Sequence, residues 1–242
     1  MARKIDINAE KQYENMKVLS GNVRAAQGKF YWATEKYIKE HHKIVCKSIE
    51  GLSGLEIGCS SGKDALKYSD FCSSYTGIDI SDEGIKKAQN KNIPNCTFIC
   101  TDGHKIPFDD ESFDFVIVNS LLHHLDIDSA FKEINRVLNK NGKLIFREPL
   151  GINPFFKIYR NITPRARTDD EKPFDLTDIK LMQRYFNFND VKWFGFLNII
   201  SGFVKINAIR NVLSKIDDLF SKTPFKYLFW QFSGIATKKN LS

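Results

Sequence analysis

The sequence predicts an α/β fold: a doubly wound, mostly parallel seven-stranded sheet in a single domain of 242 residues. Two observations carry this. From Leu52 onward, short apolar runs alternate with helical patterns, the mark of a parallel sheet covered on both faces. The stretch from Leu55 to Asp79, LEIGCSSGKDALKYSDFCSSYTGID, reads as a strand, a glycine-punctuated turn, a short helix and a second strand closed by an acid. One domain is the default at this length. With 42% apolar residues and 13% aromatics the chain can bury a substantial core.

Taken in order, residues 9–49 read as one or two helices, broken near Gly21 and Gly28. They carry Tyr13, Met16, Val18 and Leu19, then Ile38, Ile44 and Val45. Tyr13, Tyr31 and Trp32 either close over a ligand or simply pack. Strands follow over 54–57 and 75–79. Ser81 caps a helix over 82–92, in which Glu83 and Lys87 stand at an i, i+4 spacing. Further strands fall at 96–100 and 113–119, the latter nearly all apolar as a doubly covered strand should be. A helix over 128–138 ends at Asn141-Gly142, and a strand covers 143–148. A helix over 175–186, a strand over 191–196 and a closing strand over 229–237 complete the alternation. Residues 1–50 thus form a helical cover, 51–148 a ligand-binding core, and 149–174 and 197–228 two insertions on the substrate side.

No run approaches the ~18 apolar residues of a membrane-spanning helix, and the N-terminus lacks the apolar region of a signal peptide. The cysteines (Cys46, Cys59, Cys72, Cys96, Cys100) are odd in number and never spaced C-x-x-C, so neither a disulfide framework nor a metal site is expected. A reduced, cytoplasmic setting fits. Residues 1–150 carry 21 Lys/Arg and 21 Asp/Glu, while 151–242 carry 15 and 8, the whole of the net +7. The basic excess fits an anionic substrate, an acidic partner, a membrane surface or a solvated lysine-rich face.

The loop after the first strand suits a nucleotide-like ligand. Gly58 and Gly62 let the chain turn sharply and a ligand approach, and the following helix start offers free N–H groups. Asp79 stands where a carboxylate can accept from both ribose hydroxyls. The glycine spacing is G-x-x-x-G, not the G-x-G-x-x-G of a pyrophosphate site. Glu56, just before it, is a poor neighbour for a pyrophosphate and a good one for an amino acid or sulfonium cation.

This stretch resembles the first motif of class I S-adenosylmethionine-dependent methyltransferases, D/E-x-G-x-G-x-G, with Ser60 at the middle glycine. Three further segments resemble that family in order: Thr101-Asp102-Gly103 with Ile106-Pro107-Phe108, FDFVIVNSLLHHL from Phe113, and EINRVLNKNGKLIF from Glu133. The resemblance implies a Rossmann-like methyltransferase fold with S-adenosyl-L-methionine as cofactor. It implies that Glu56, Gly58, Cys59, Ser60, Gly62, Asp79, Ile80, Asp102, Gly103 and Asn119 hold it, Asp102 at the adenine. A dehydrogenase would need the other glycine spacing.

His123 and His124 follow the fourth strand at the edge where open sheets place ligands, and an imidazole suits a general base. Their alternative is to cap or pack the next helix. Glu148 either orients substrate or accepts a proton, or else pairs with Arg147 or a lid arginine. Arg160, Arg165 and Arg167 offer forks for an anionic substrate, unless Asp169, Asp170 and Glu171 neutralise them. The insertion at 197–228, apolar at Leu197, Ile200, Phe203, Val204, Ile209, Val212, Leu213 and Ile216, reads as a helical cap whose apolar face lines the entrance for a hydrophobic substrate. It could instead pack on the sheet, on a second subunit or on an anionic membrane. The expected activity is methyl transfer to oxygen or nitrogen of a small molecule or a glycan- or lipid-linked intermediate. The rival is a catalytically silent binding module. Asn119-Ser120-Leu121-Leu122 departs from the N/D-P-P-Y/F/W motif of base-methylating enzymes, which argues against nucleic acid.

Overall fold

The computed structural model describes residues 6–20, 28–154, 157, 172–197, 199 and 206–240, with the backbone alone at 28–33. Two helices, α1 (Ile7–Ser20) and α2 (Gly28–Ser48), precede the sheet. Its strands are β1 (Ser53–Ile57), β2 (Ser74–Asp79), β3 (Cys96–Cys100), β4 (Phe113–Asn119), β5 (Leu138–Pro149), β6 (Phe186–Phe194) and β7 (Gln231–Lys238). The order across the sheet is β3-β2-β1-β4-β5-β7-β6. Only β7 runs antiparallel, wedged between β5 and β6. The seven-stranded, mostly parallel expectation is met.

Helices α3 (Ala65–Tyr68), α4 (Asp82–Gln89), α5 (Ile127–Val137), α6 (Leu176–Tyr185) and α7 (Asn207–Phe220) complete the chain. Two apolar cores sandwich the sheet. On one face Leu55, Ile78, Val116, Val118, Leu144 and Phe146 pack against Phe131 and Ile134 of α5 and Met182 of α6. On the other, Phe115, Ile117, Ile145 and Ile235 meet Val45 and Ile49 of α2, Ala65 of α3 and Ile85 of α4. Strand β4 lies between both cores, which is why its sequence is almost wholly apolar. Gly54 exists for this packing: a Cβ there would fall 1.9 Å from the Phe115 ring.

Several local expectations shift. Ser81 caps α4 as predicted, accepting from the Gly84 amide at 2.9 Å. Glu83, however, pairs with Lys86, and Lys87 donates to Val18 O at 2.6 Å, tying α1 to α4. Helix α5 stops at Val137, before Asn141-Gly142. That pair turns the chain inside the β5 ladder: Leu138 pairs with Phe113 and Lys143 with Phe115, so four residues loop out opposite one. Strand β6 begins at Phe186 rather than 191, because Phe186 and Phe188 supply inward residues despite the polar Asn187, Asn189 and Asp190.

The predicted insertion does contain a helix, α7, with its apolar residues divided between two sides: Leu213, Ile216 and Phe220 are half-buried, Phe220 against the main core. Ser214 and Asp217 point inward, whereas Ile209 (40% exposed), Val212 (57%) and Leu219 (67%) face solvent. Asp217 accepts from the Phe196 and Leu197 amides at 3.1 and 2.8 Å, so a buried carboxylate helps to fasten this helix. Ile200, Phe203 and Val204, and the Tyr31 and Trp32 side chains, lie outside the described residues. No helix among the described residues is long and apolar enough to cross a membrane.

Candidate active site

The carboxyl ends of β1–β4 surround a pocket of about 280 Å³, roofed by Ile7, Glu10, Glu14 and Lys17 of α1. Its walls include Gly58, Ser60, Asp79, Ile80, Asp102, Gly103, Asn119 and His124. Eight of the residues expected at the site therefore share one cavity.

The loop after β1 folds as its glycines require. Gly58 and Gly62 sit at φ +82° and +69°. A Cβ on Gly58 would come 2.8 Å from Leu121, and one on Gly62 would press Ala88 and Phe98. Gly62 therefore serves the packing of the loop on α4 and β3, away from the pocket. Ser60 takes the left-handed conformation at φ +45°, held there by its amide, which donates to Asp79 Oδ2 at 2.7 Å. The Ser81 amide donates to Asp79 Oδ1 at 2.8 Å. Burial raises the Asp79 pKa, and these two amides oppose the rise.

Asp102 is held by a residue that the sequence reading missed. The Asp126 amide donates to His104 Nε2 at 3.0 Å, so that nitrogen carries no proton. The ring proton is thus assigned to Nδ1, which donates to Asp102 Oδ1 at 2.7 Å. The His104 amide reaches the same oxygen at 2.9 Å. Both donors take Oδ1 and leave Oδ2 for a ligand.

The two histidines part ways. His123 is buried (5% exposed), with Nδ1 2.7 Å from Glu148 Oε2. Glu148, fully buried, accepts from the Leu121 and Leu122 amides through Oε1, each at 2.9 Å. Together they hold the turn Leu122–His124 in place. This corrects both expectations: neither His123 nor Glu148 faces the pocket, because the turn needs a buried acceptor. His124 does line the pocket. Its Nδ1 lies 3.2 Å from Glu10 Oε1, within ion-pair distance but off the hydrogen-bond direction.

Glu56 and Cys59 are also corrected. Glu56 is buried (3% exposed) beneath the loop, and the Tyr75 hydroxyl donates to its Oε2 at 2.9 Å. Burial, then the negative charge of Asp64, push its pKa up to about 8. It is mostly protonated at neutral pH and presents no charge to a ligand. The Cys59 side chain packs over Gly77, and its amide bonds Ile78 O. Asp64, unpredicted, accepts from Asn119 Nδ2 at 2.8 Å. Burial would raise its pKa, but the Lys67 charge and hydrogen bond, then Asn119 and Arg147, lower it. Arg160, Arg165 and Arg167 lie outside the described residues.

The donor set fits S-adenosylmethionine. Asp79 closes β2, the donors to Asp102 among the described residues take Oδ1, and Asn119 Oδ1 is buried without a hydrogen-bond partner among them. Glu10, Glu14, Asp79 and Asp102 outnumber Lys17 around the cavity, which favours a cation.

Comparison with known proteins agrees. Residues 55–146 match the family model described as a methyltransferase domain. The chain is 31% identical over 132 residues to a sterol 4-C-methyltransferase of Caenorhabditis elegans, covering 51% of this chain and 40% of that protein. It is 33% identical over 117 residues to a phthiotriol/phenolphthiotriol dimycocerosates methyltransferase of Mycobacterium ulcerans, covering 46% and 43%. The chain thus spans under half the length of these relatives. Among solved structures, the N-methyltransferase NodS of Bradyrhizobium japonicum, in complex with S-adenosyl-L-homocysteine, superposes with a TM-score of 0.56 at 16% identity, over 84% of this chain and 87% of that one. Motifs, strand order and pocket thus agree in making residues 55–146 similar to the class I S-adenosylmethionine-dependent methyltransferases.

Proposed function

We propose that the chain methylates an oxygen or nitrogen of a small molecule with an apolar portion, of the lipid or lipid-linked kind, using S-adenosylmethionine. The observation that carries this reading is the single cavity joining Asp79, Asp102, Asn119 and His124. Asp79 would hold the ribose, Asp102 Oδ2 the adenine amino group, and the Gly58–Ser60 turn with Asn119 the amino-acid end. When bound, the cofactor supplies an electrophilic methyl on a positively charged sulfur.

The chain's task is then alignment of the acceptor, which contributes about 7–11 kcal/mol in favourable cases. His124 takes the proton that an oxygen or nitrogen acceptor loses, and the nearby Glu10 carboxylate stabilises the imidazolium so formed. Its place on the pocket wall, against the buried position of His123, selects it for that role. The lipid character is supported by the two relatives whose names specify a sterol and a phthiotriol. It is also supported by α7, whose exposed Ile209, Val212 and Leu219 stand beside the exposed Lys215 and Lys222. That composition suits contact with an anionic lipid surface.

Calorimetry with S-adenosylhomocysteine tests the cofactor site. Asp79→Ala should weaken binding about ten- to a hundredfold, the worth of one charged hydrogen-bond set. Unchanged affinity in a folded variant, or no binding by the wild type, rejects the site. Cosedimentation with phosphatidylglycerol vesicles, lost when Lys215 and Lys222 are both changed to Glu, tests the lipid surface.

A further inference from the structure

We propose that the polar row beneath α2, centred on Arg147, is the acceptor's subsite and takes a carboxylate or similar small oxyanion of the molecule to be methylated; this rests on the methyltransferase reading of the adjoining pocket. The row is fixed by strand register. Asn119 of β4 stands opposite Arg147 of β5, Arg147 opposite Ser233 of β7, and Ser233 opposite Lys192 of β6. Two residues earlier on β4 and β5, and two later on β7, the same face carries Ile117, Ile145 and Ile235, all in the apolar core. The sheet thus changes from apolar to polar in one step at its carboxyl edge.

The covering helix changes at the same place. Val45 and Ile49 of α2 meet the apolar part, while Thr34 and His41, on the same helix face, are buried towards the other end. Two polar surfaces therefore face each other; Lys192 pairs with Glu40 of α2 at 3.4 Å, but other groups between them are left over. His41 Nε2, Asn119 Oδ1, Arg147 Nε and Gln231 Oε1 are buried with no hydrogen-bond partner among the described residues. His41 and Gln231 are only 7% and 4% exposed. Each such atom costs about 1–3 kcal/mol when left unpaired; Arg147 Nε, and His41 Nε2 in its protonated tautomer, can donate to an oxyanion, while the two amide oxygens need a donor.

Arg147 is the centre of this deficit. No described carboxylate lies within ion-pair distance of it, and Asp64, whose charge it feels, is already engaged by Lys67 and Asn119. Its positive charge adds to burial in pushing His41 down to about 4, so a neutral imidazole stands beside a permanent cation. An arginine fork matches a carboxylate's two oxygens. The row also lies on the correct side. Asp79 and Asp102 hold the pocket from the β2 and β3 side, Asn119 belongs to both pocket and row, and the row leads away from it through β5 towards β6. An acceptor anchored there reaches the pocket from the side opposite the adenosine.

The test uses benzoate as carboxylate probe and benzamide as its neutral match, titrated with and without S-adenosylhomocysteine. Imidazole resonances of His41 are followed by NMR. The wild type should show saturable shifts with benzoate and none with benzamide. Arg147→Met should weaken benzoate binding at least tenfold and Arg147→Lys less, while both keep S-adenosylhomocysteine affinity within twofold. Absence of a saturable benzoate response in the wild type overturns the proposal. So does an Arg147→Met variant that loses tenfold in S-adenosylhomocysteine affinity but none for 5′-methylthioadenosine, since Arg147 would then serve the cofactor's own carboxylate. Failure of the wild type to bind S-adenosylhomocysteine rejects the methyltransferase reading instead, and the titration without it still decides the subsite.

Discussion

Glu56 keeps its proton through neutrality because burial and Asp64 raise its pKa to about 8. In the unfolded chain it ionises near 4.5. Between those values the unfolded state has released a proton that the native state retains, so rising pH favours unfolding. This contribution to stability is full below about pH 4.5 and is lost as pH rises through about 8. Glu56→Gln keeps an acceptor for the Tyr75 hydroxyl and cannot ionise. Its unfolding free energy should therefore gain on the wild type as pH goes from 5 to 8, by up to a few kcal/mol at about 1.4 kcal/mol per unit, read by denaturant unfolding at each pH. A gap that stays constant across that range contradicts the assignment. The histidine pair gives a second contrast. His123→Ala leaves Glu148 buried with one donor fewer and should cost about 2–4 kcal/mol of stability. His124→Ala should leave the melting temperature nearly unchanged and lower turnover about 10²–10⁴-fold at saturating cofactor. Denaturant unfolding and turnover measured on both variants check the pair, and equal stability losses would remove the distinction.

Helix α7 shows at the element scale what periodicity conveys and what it omits. The i, i+3, i+4 recurrence of Ile209, Val212, Leu213 and Ile216 marks a helix, yet its fully buried residues are Ser214 and Asp217, beside the half-buried Leu213 and Ile216. The reason is long-range: the chain ends β6 at Phe194 and leaves the Phe196 and Leu197 amides needing an acceptor, which Asp217 supplies. Asp217→Ala should consequently destabilise by about 2–4 kcal/mol, while Leu219→Gln should stay within about 0.5 kcal/mol. Thermal unfolding of the two variants tests this, and the reverse ranking would refute it. Strands β3 and β4 were legible to the residue because their apolar runs end at clear turns. Strand β6 was misplaced because its polar Asn187 and Asp190 hide the alternation. The same division holds in the pocket. Gly58, Asp79 and Asp102 could be read because they occupy strand ends within a local motif. His104, Glu10 and Asp64 could not, since each acts only through a contact that folding creates.

At the scale of the whole molecule, two kinds of cohesion coexist. The sheet is held by two apolar cores, and the antiparallel β7 seals it by pairing on both sides. The pocket's roof is held otherwise. Helix α1 buries no residue. Its contacts among the described residues include the Lys11–Asp82 ion pair, Ser81 and the Glu83 amide donating to Asn15 at 2.6 and 3.3 Å, Lys87 donating to Val18 O, and His124 beside Glu10. Such contacts are individually worth little and are weakened by dissolved ions, whose screening length shrinks from about 10 Å at 0.1 M to 3 Å at 1 M. Ionic strength should therefore act on the roof and spare the sheet. Stopped-flow release of S-adenosylhomocysteine should quicken severalfold between 0.1 and 1 M sodium chloride, with the melting temperature nearly unmoved. A release rate indifferent to salt would mean that α1 does not govern exit. If release limits turnover, the surrounding salt sets the pace at which this protein works, through a helix that buries none of its described residues.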